Sequence, residues 1–320
     1  MKPNLGDGKV NKILTNFSLR YSNSLYIAEQ ILPPLPVKEI TGKYAKYGKE
    51  NLRAYVDQIF RAPGTRAHTI DYSVSQGDYT CRERSLEKLV PDEFRDNMDD
   101  PYDAGRDAAK CIMDNISVNE ELALATAMAS TSIMTKYTTI SASTDKWTDK
   151  TNSDPMANIR TAVDAITSNS GMIANVLVFC WDAWKAFKDN PGVQELVKYT
   201  NGGSQNYSDS AMKRFLIDYF DLEEVLVGRA VYISSEEGQS TDTLTQVWTG
   251  NVWALCRAKT PSLMQATFGL TLYDNSAGGP AIITDTYREE PKRSDVVRVH
   301  KSFDQNLFDV NLGYLLKSVV

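Results

Sequence analysis

The stretch from Pro101 to Lys136 constrains this chain most, because it reads as one long helix. Pro101 suits a first helical position, where its missing N–H would be unpaired anyway. Asp103 and Asp107 place negative charge on the first turns, where the helix dipole favours it. Apolar residues then recur at helical spacing: Ala104, Ala108, Ile112 and Ile116, then Leu122, Ala125, Ala129 and Ile133. If Tyr102 to Lys136 is helical throughout, it runs for about 50 Å at 1.5 Å per residue. A compact chain of 320 residues has a radius of gyration of only about 20 Å, so such a helix crosses nearly the whole molecule. The alternative is two helices broken near residues 115–119. Arg106, Asp107, Lys110, Asp114, Glu120 and Glu121 rule the stretch out as a membrane span.

The charge distribution divides the chain. The net charge of −6 gives no reason to expect general affinity for nucleic acid. Residues 37–84 carry nine basic and six acidic groups, net +3, and residues 85–155 carry seven and fourteen, net −7. A basic segment is thus followed directly by an acidic one. The first residues, MKPNLGDGKV, show no apolar signal region. Cysteines at 81, 111, 180 and 256 are too widely spaced for a zinc ribbon or redox pair, so four reduced thiols are expected.

Before the spine, residues 1–30 read as a polar arm with a short helix at Leu25–Gln30, and the ILPPLPV run at 31–37 forces an extended backbone. Val37 to Tyr47 is strand-like. His68 to Arg84 alternates, with Ile70, Tyr72 and Val74 on one face and Asp71, Ser73 and Ser75 on the other. Two such strands, joined by about twenty residues with a turn at Pro63-Gly64, make an unusual core hairpin. The expectation is an excursion that projects from the body and lies on a partner; the alternative is an edge hairpin on the chain's own sheet. After the spine, helices are expected at Asn158–Ser168, Trp181–Tyr199 (interrupted at 190–192) and Ala211–Phe220. Strands are expected at 175–180, 224–234, within 245–258 and at 268–273, which makes an α/β block over 156–275.

Catalytic signatures are scarce. His68 and His300 are the only histidines, which leaves little material for a histidine-based triad or metal site. No phosphate loop or dinucleotide fingerprint occurs. Ser85-Leu86-Glu87-Lys88 matches an S-x-x-K pattern without its usual partner motifs. Asp96, Asp99, Asp100 and Asp103 lack the spacing of a calcium loop and read as helix-dipole complementation. No cofactor is expected.

Taken together, the order Gly42-Lys43-Tyr44, then the RAPGTR run at 61–66, then Tyr72-Ser73-Val74, then Pro91-Asp92-Glu93 resembles the major capsid proteins of tailed bacteriophages, which share the Hong Kong 97-like capsid fold. The resemblance is strongest over Ile27–Glu93. It implies an α+β chain with an N-terminal arm (1–36), an extended β-hairpin loop (37–84), a peripheral domain (85–155 and 276–320) with a spine helix at about 101–136, and an axial α/β domain (156–275). The implied role is a structural shell subunit forming pentamers and hexamers around double-stranded DNA, with no catalytic site. Itself is the main partner; portal, decoration and separate scaffolding proteins are further ones, the DNA contact is non-specific, and no membrane is involved. The implied location is the virion, assembled in the host cytoplasm. Lys43, Tyr44, Lys46, Tyr47, Lys49, Arg53, Arg61 and Arg66 on the loop, and Asp92, Glu93, Asp96 and Asp100 on the acidic segment, are the candidate intersubunit residues. No motif singles out one of the loop lysines for a covalent cross-link. Two alternatives stand beside this reading: an encapsulin-like protein cage and a cytosolic α/β hydrolase.

Overall fold

The computed structural model describes residues 9–10, 25–47, 60–61, 63–69, 74–96, 103–200, 207–235, 241, 243–263, 265–275 and 282–320. In chain order the described elements begin with β1 (Lys9–Val10), α1 (Ala28–Ile31), β2 (Pro34–Val37), β3 (Thr41–Tyr47), β4 (Val74–Thr80), β5 (Arg82–Pro91) and α2 (Asp92–Asp96). The spine is α3 (Ala104–Ala129). It is followed by β6 (Tyr137–Thr139), α4 (Pro155–Ser170), β7 (Val176–Cys180), α5 (Trp181–Asp189), α6 (Pro191–Thr200) and α7 (Asp209–Phe220). The last third is β-rich: β8 (Glu224–Gly228), β9 (Val231–Ile233), β10 (Leu244–Gln246), β11 (Val252–Leu255), β12 (Gly269–Asp274), β13 (Ile282–Glu289), β14 (Ser294–Leu307) and β15 (Gly313–Lys317).

The spine helix is continuous and shorter than its sequence pattern suggests. Its 26 residues span about 39 Å. Asp103, expected inside the first turn, is the N-cap instead, and its carboxylate accepts from the Gly105 and Arg106 N–H groups. Pro101 and Tyr102 lie outside the described residues. The helix does not break at 115–119. There Asn115 and Asn119 turn their side-chain amides back to the carbonyls of Cys111 and Asn115, both at 2.8 Å. It stops at Ala129 rather than Lys136, and the Trp253 indole N–H donates to the Met128 carbonyl in the last turn at 3.0 Å.

Two sheets flank this helix. The first has the order β1-β13-β14-β12-β2, with β5 also paired to β14. Pro34 and Pro36 are tolerated because β2 is an edge strand, parallel to β12. The second has the order β6-β15-β11-β7-β8; β7, β8 and β11 hold its mostly buried apolar runs. Three strands cross the expected division, β6 among them: it falls in the expected peripheral stretch 85–155 but pairs with β15 in the second sheet. The strand at 269–274, grouped by sequence with the 156–275 block, pairs in the first sheet, and β15, expected to return to the first unit, pairs between β6 and β11 in the second. Pairing partners rather than sequence neighbours decide this. The N-terminal half of α3 packs Ala108, Ala109, Ile112 and Ile116 on Val90, Val297 and Val299 of the first sheet. Its C-terminal half puts Leu124, Ala125 and Met128 into the core that also holds α1 and the second sheet.

The apolar stripe on α3 steps by four residues from Ile112 to Ile116 and then lands on Glu120 before resuming at Leu124. Glu120 and Glu121 are both buried, and Glu121 is fully so. Glu121 accepts hydrogen bonds from the N–H groups of Ile27 (3.1 Å) and Ala28 (2.8 Å) and from the Trp248 indole N–H (2.6 Å). Glu120 pairs with Lys301 at 3.0 Å, and Lys301 also holds Glu29 at 3.0 Å. Burial pushes both glutamates above the usual carboxylate range. Burial also works against the Lys301 charge, but Glu120 and Glu29 more than offset it, so its value rises and the ammonium stays charged.

Beside the second sheet, Asp209 at the start of α7 accepts from Trp184 (3.2 Å), Lys188 (2.5 Å) and Arg229 (2.5 Å). The Lys188 hydrogen bond is the largest influence, and the group is held down at about 2.

Two outcomes follow. Glu121→Ala leaves three buried donors without an acceptor, each worth about 1–3 kcal/mol, so chemical denaturation should show a loss of about 3 kcal/mol or more. Asp209 is lowered in the folded chain, so its contribution is complete above the unfolded value near 3.8 and disappears as pH falls toward about 2. Thermal melts of Asp209→Asn should therefore show reduced stability at pH 7, with the deficit shrinking across that acid window.

Candidate functional site

β3 and β4 form a separate antiparallel ribbon in which Tyr44 lies opposite Gly77 and Gly42 opposite Tyr79. Each tyrosine ring folds over the facing glycine. A Cβ on Gly77 would meet the Tyr44 ring at 2.3 Å, and one on Gly42 would meet Tyr79 at 2.5 Å. Glycine therefore lets the aromatic rings cross the ribbon. Both tyrosines are buried, together with Val37, Cys81, Leu270, Leu272 and Phe308.

This small core anchors the ribbon to the first sheet. Tyr44 stacks on Phe308 with ring centroids 4.1 Å apart, and its hydroxyl donates to Asn306 Oδ1 at 2.9 Å. Asn306 donates in turn to the Asp78 carbonyl, and the Thr80 N–H donates to Asp304. Burial, with Asp304 and Asp78 nearby, pushes Tyr44 up to about 12, and burial pushes the Cys81 thiol up to about 11.

Tyr44, expected among the residues that meet a neighbour, is thus an internal anchor. Its hydroxyl and ring both find partners within the same chain. Lys43 is exposed and sits opposite Asp78 in the ribbon register. Lys46 is half-buried, with its ammonium 5.4 Å from the Tyr44 ring centroid. Arg61 and Arg66 are exposed in the segment beyond β3, beside Phe60 at 84% exposure and the turn at Gly64, whose φ is +85°. Lys49, Arg53 and the Tyr47 side chain lie outside the described residues.

The acidic segment is partly spoken for within the subunit. Asp92 receives the Arg288 guanidinium through two 2.6 Å hydrogen bonds and Arg95 at 3.1 Å. Arg288 and Arg95 both reach Asp295 as well, which ties α2 to the β13–β14 turn. The Arg288 hydrogen bonds hold Asp92 below the usual carboxylate range. Asp92 is thus already engaged by two arginines of its own chain. Glu93 is exposed beside it. The Asp96 side chain and Asp100 lie outside the described residues. Sequence reading missed the Arg288 partnership, which spans nearly two hundred residues, and the Glu120–Glu121 knot; only the step of the α3 stripe onto Glu120 signalled the knot.

No cluster of metal-binding type is present among the described residues, nor is any described helix long and apolar enough to cross a membrane. His68 is exposed, while His300 lies in β14 with Nδ1 3.8 Å from Asp285.

Comparison with known proteins adds independent information. Residues 131–274 match the family described as Phage major capsid protein E. The chain is similar to the major capsid protein of Burkholderia phage BcepMu, with 25% identity over 319 residues covering 97% of this chain and 96% of the relative. Among solved structures, a phage-related protein from Bordetella bronchiseptica RB50 superposes with a TM-score of 0.75 at 24% identity, covering 98% of both chains. The capsid of cyanophage P-SCSP1u superposes with a TM-score of 0.56 at 8% identity, covering 91% of this chain and 88% of the other.

If Tyr44 anchors the ribbon, Tyr44→Ala should cost about 3 kcal/mol, in the range of large aromatic truncations, while Tyr44→Phe loses only one hydrogen bond worth about 1 kcal/mol. Hydrogen exchange should speed up selectively across 41–47 and 74–80 in the alanine variant.

Proposed function

We propose that this chain, a phage major capsid protein with the Hong Kong 97-like fold and so a structural component of the virion shell, closes that shell as pentamers and hexamers around double-stranded DNA. The observation that carries the reading is the ribbon: it is docked on the first sheet at its base and pairs with no other strand among the described residues, and Phe60 beyond β3 is bare. The full-length phage relative supports a phage shell over the protein cage and the hydrolase that the sequence left as alternatives.

The proposed units are a peripheral domain built on the spine helix and first sheet, and an axial domain built on the second sheet. The ribbon and the segment after it act as the loop that reaches a neighbouring subunit. Lys43, Lys46, Arg61 and Arg66 are its proposed basic contacts; Lys49, Arg53 and Tyr47 extend the same surface by sequence. Glu93, with Asp96 and Asp100, is the proposed acidic counterpart, while Asp92 serves the subunit's own fold. Portal, decoration and separate scaffolding proteins are the proposed further partners.

The charge pairing gives a direct test. Exposed pairs contribute only about 0.2–1 kcal/mol each, but a shell repeats each one many times. Lys43→Glu with Lys46→Glu should slow assembly in light scattering, most visibly at low salt, with little change in subunit stability. Adding Glu93→Lys should restore part of the rate. Normal assembly of the double variant across the salt range would show that apolar and backbone contacts hold the loop instead.

A further inference from the structure

Four cations crowd one end of the second sheet. β7 and β8 run parallel and finish side by side at Cys180 and Gly228. Trp181 follows the first and Arg229 the second. The Arg229 guanidinium lies 4.3 Å from the Trp181 ring centroid, with the Lys185 and Lys188 ammonium groups at 5.8 and 5.9 Å. One cation over an indole face is favourable, but three around the same ring repel one another. Lys213 on α7 is the fourth. Burial and then Arg229 push its ammonium below the usual lysine value, against the pull of Asp209 and Glu224.

Among the described residues the local carboxylates do not balance this charge. Asp182 holds Lys185 at 2.8 Å, Asp209 is shared between Lys188 and Arg229, and Glu224 is taken by Arg257 at 2.9 Å. Of the described residues, four cations thus share two carboxylates, in a chain whose net charge is −6. The concentration runs against the chain's own average. An arginine fork beside several lysines suits phosphate oxygens, which accept both kinds of donor. The Arg229 guanidinium already lies over one face of the Trp181 ring.

We propose that the Trp181–Lys185–Lys188–Lys213–Arg229 cluster is a binding site for the phosphate groups of a nucleic-acid backbone, read without regard to base sequence. The proposal rests on the DNA-filled shell only for the source of the polyanion. Backbone contacts position a chain without carrying sequence information, which suits a surface that meets DNA of any sequence.

The test uses the full-length protein and two labelled duplexes of unrelated sequence, followed by fluorescence anisotropy over a salt series. Lys185→Gln with Lys213→Gln should weaken binding of both duplexes about tenfold at low salt and make the log–log salt slope shallower by about 2. Wild-type affinity and slope in a double variant that melts normally would overturn the proposal. Should the double variant fail to fold, Lys185→Gln alone, half exposed, decides: a slope shallower by about 1 supports the site and an unchanged slope overturns it. Inorganic phosphate at matched ionic strength should not displace the duplex; displacement would assign the site to free phosphate and overturn the backbone reading. Light scattering keeps the two readings apart. Normal shells with unchanged duplex binding overturn this inference alone, whereas absent shells overturn the shell reading and leave the duplex result standing.

Discussion

The Glu121 carboxylate is the interaction on which the rest of the subunit depends. It is fully buried, and it accepts from three N–H donors on two distant segments, Ile27 and Ala28 at the start of α1 and Trp248 ahead of β11. These hydrogen bonds offset part of the cost of burying a carboxylate, and burial still holds the group above the usual carboxylate range. The result is positional. One side chain on the spine fixes where the arm helix begins and where the second sheet packs. Next to it, Lys301 reaches from β14 to Glu120 on the spine and Glu29 on α1, so the first sheet is tied to the same point. Arg257 adds a further tie, donating to the Gln30 carbonyl and pairing with Glu224 of β8.

Around this knot the remaining forces divide into those that complete the subunit and those left for its neighbours. The ribbon base is finished internally, with Tyr44 on Phe308 and tyrosine rings over glycines. The Asp92–Arg288–Asp295–Arg95 network is likewise internal and fixes the short helix α2 against the first sheet. Beyond β3, Phe60, Arg61 and Arg66 present exposed basic and aromatic surface. The small core of Tyr44, Tyr79, Cys81 and Phe308 fixes the ribbon's position on the first sheet.

Much of this order was legible in the sequence because it depends on local patterns. The four-residue apolar step marked the spine, and the three prolines marked the extended run before the ribbon. Helix ends were less legible. Asp103 became the cap instead of the first turn because its carboxylate could reach two free N–H groups, and the last turns gave way to the bend at residues 130–136. Sheet membership was not legible for residues 269–274 and 313–317, since pairing with distant strands leaves no local mark. The candidate contact residues show the same limit. Tyr44 and Lys43 are neighbours in an exposed-looking strand, yet one faces its own Phe308 and the other faces outward, and Asp92 was claimed by a partner 196 residues away.

The account stands on the claim that the lone subunit is incomplete and is finished by copies of itself. Negative-stain electron microscopy of the purified full-length chain, alone and with phage scaffolding protein, tests this most directly. Closed shells, or rings of five or six subunits, are the result the account requires. A uniform field of single subunits at every concentration, with and without the scaffolding protein, would contradict it.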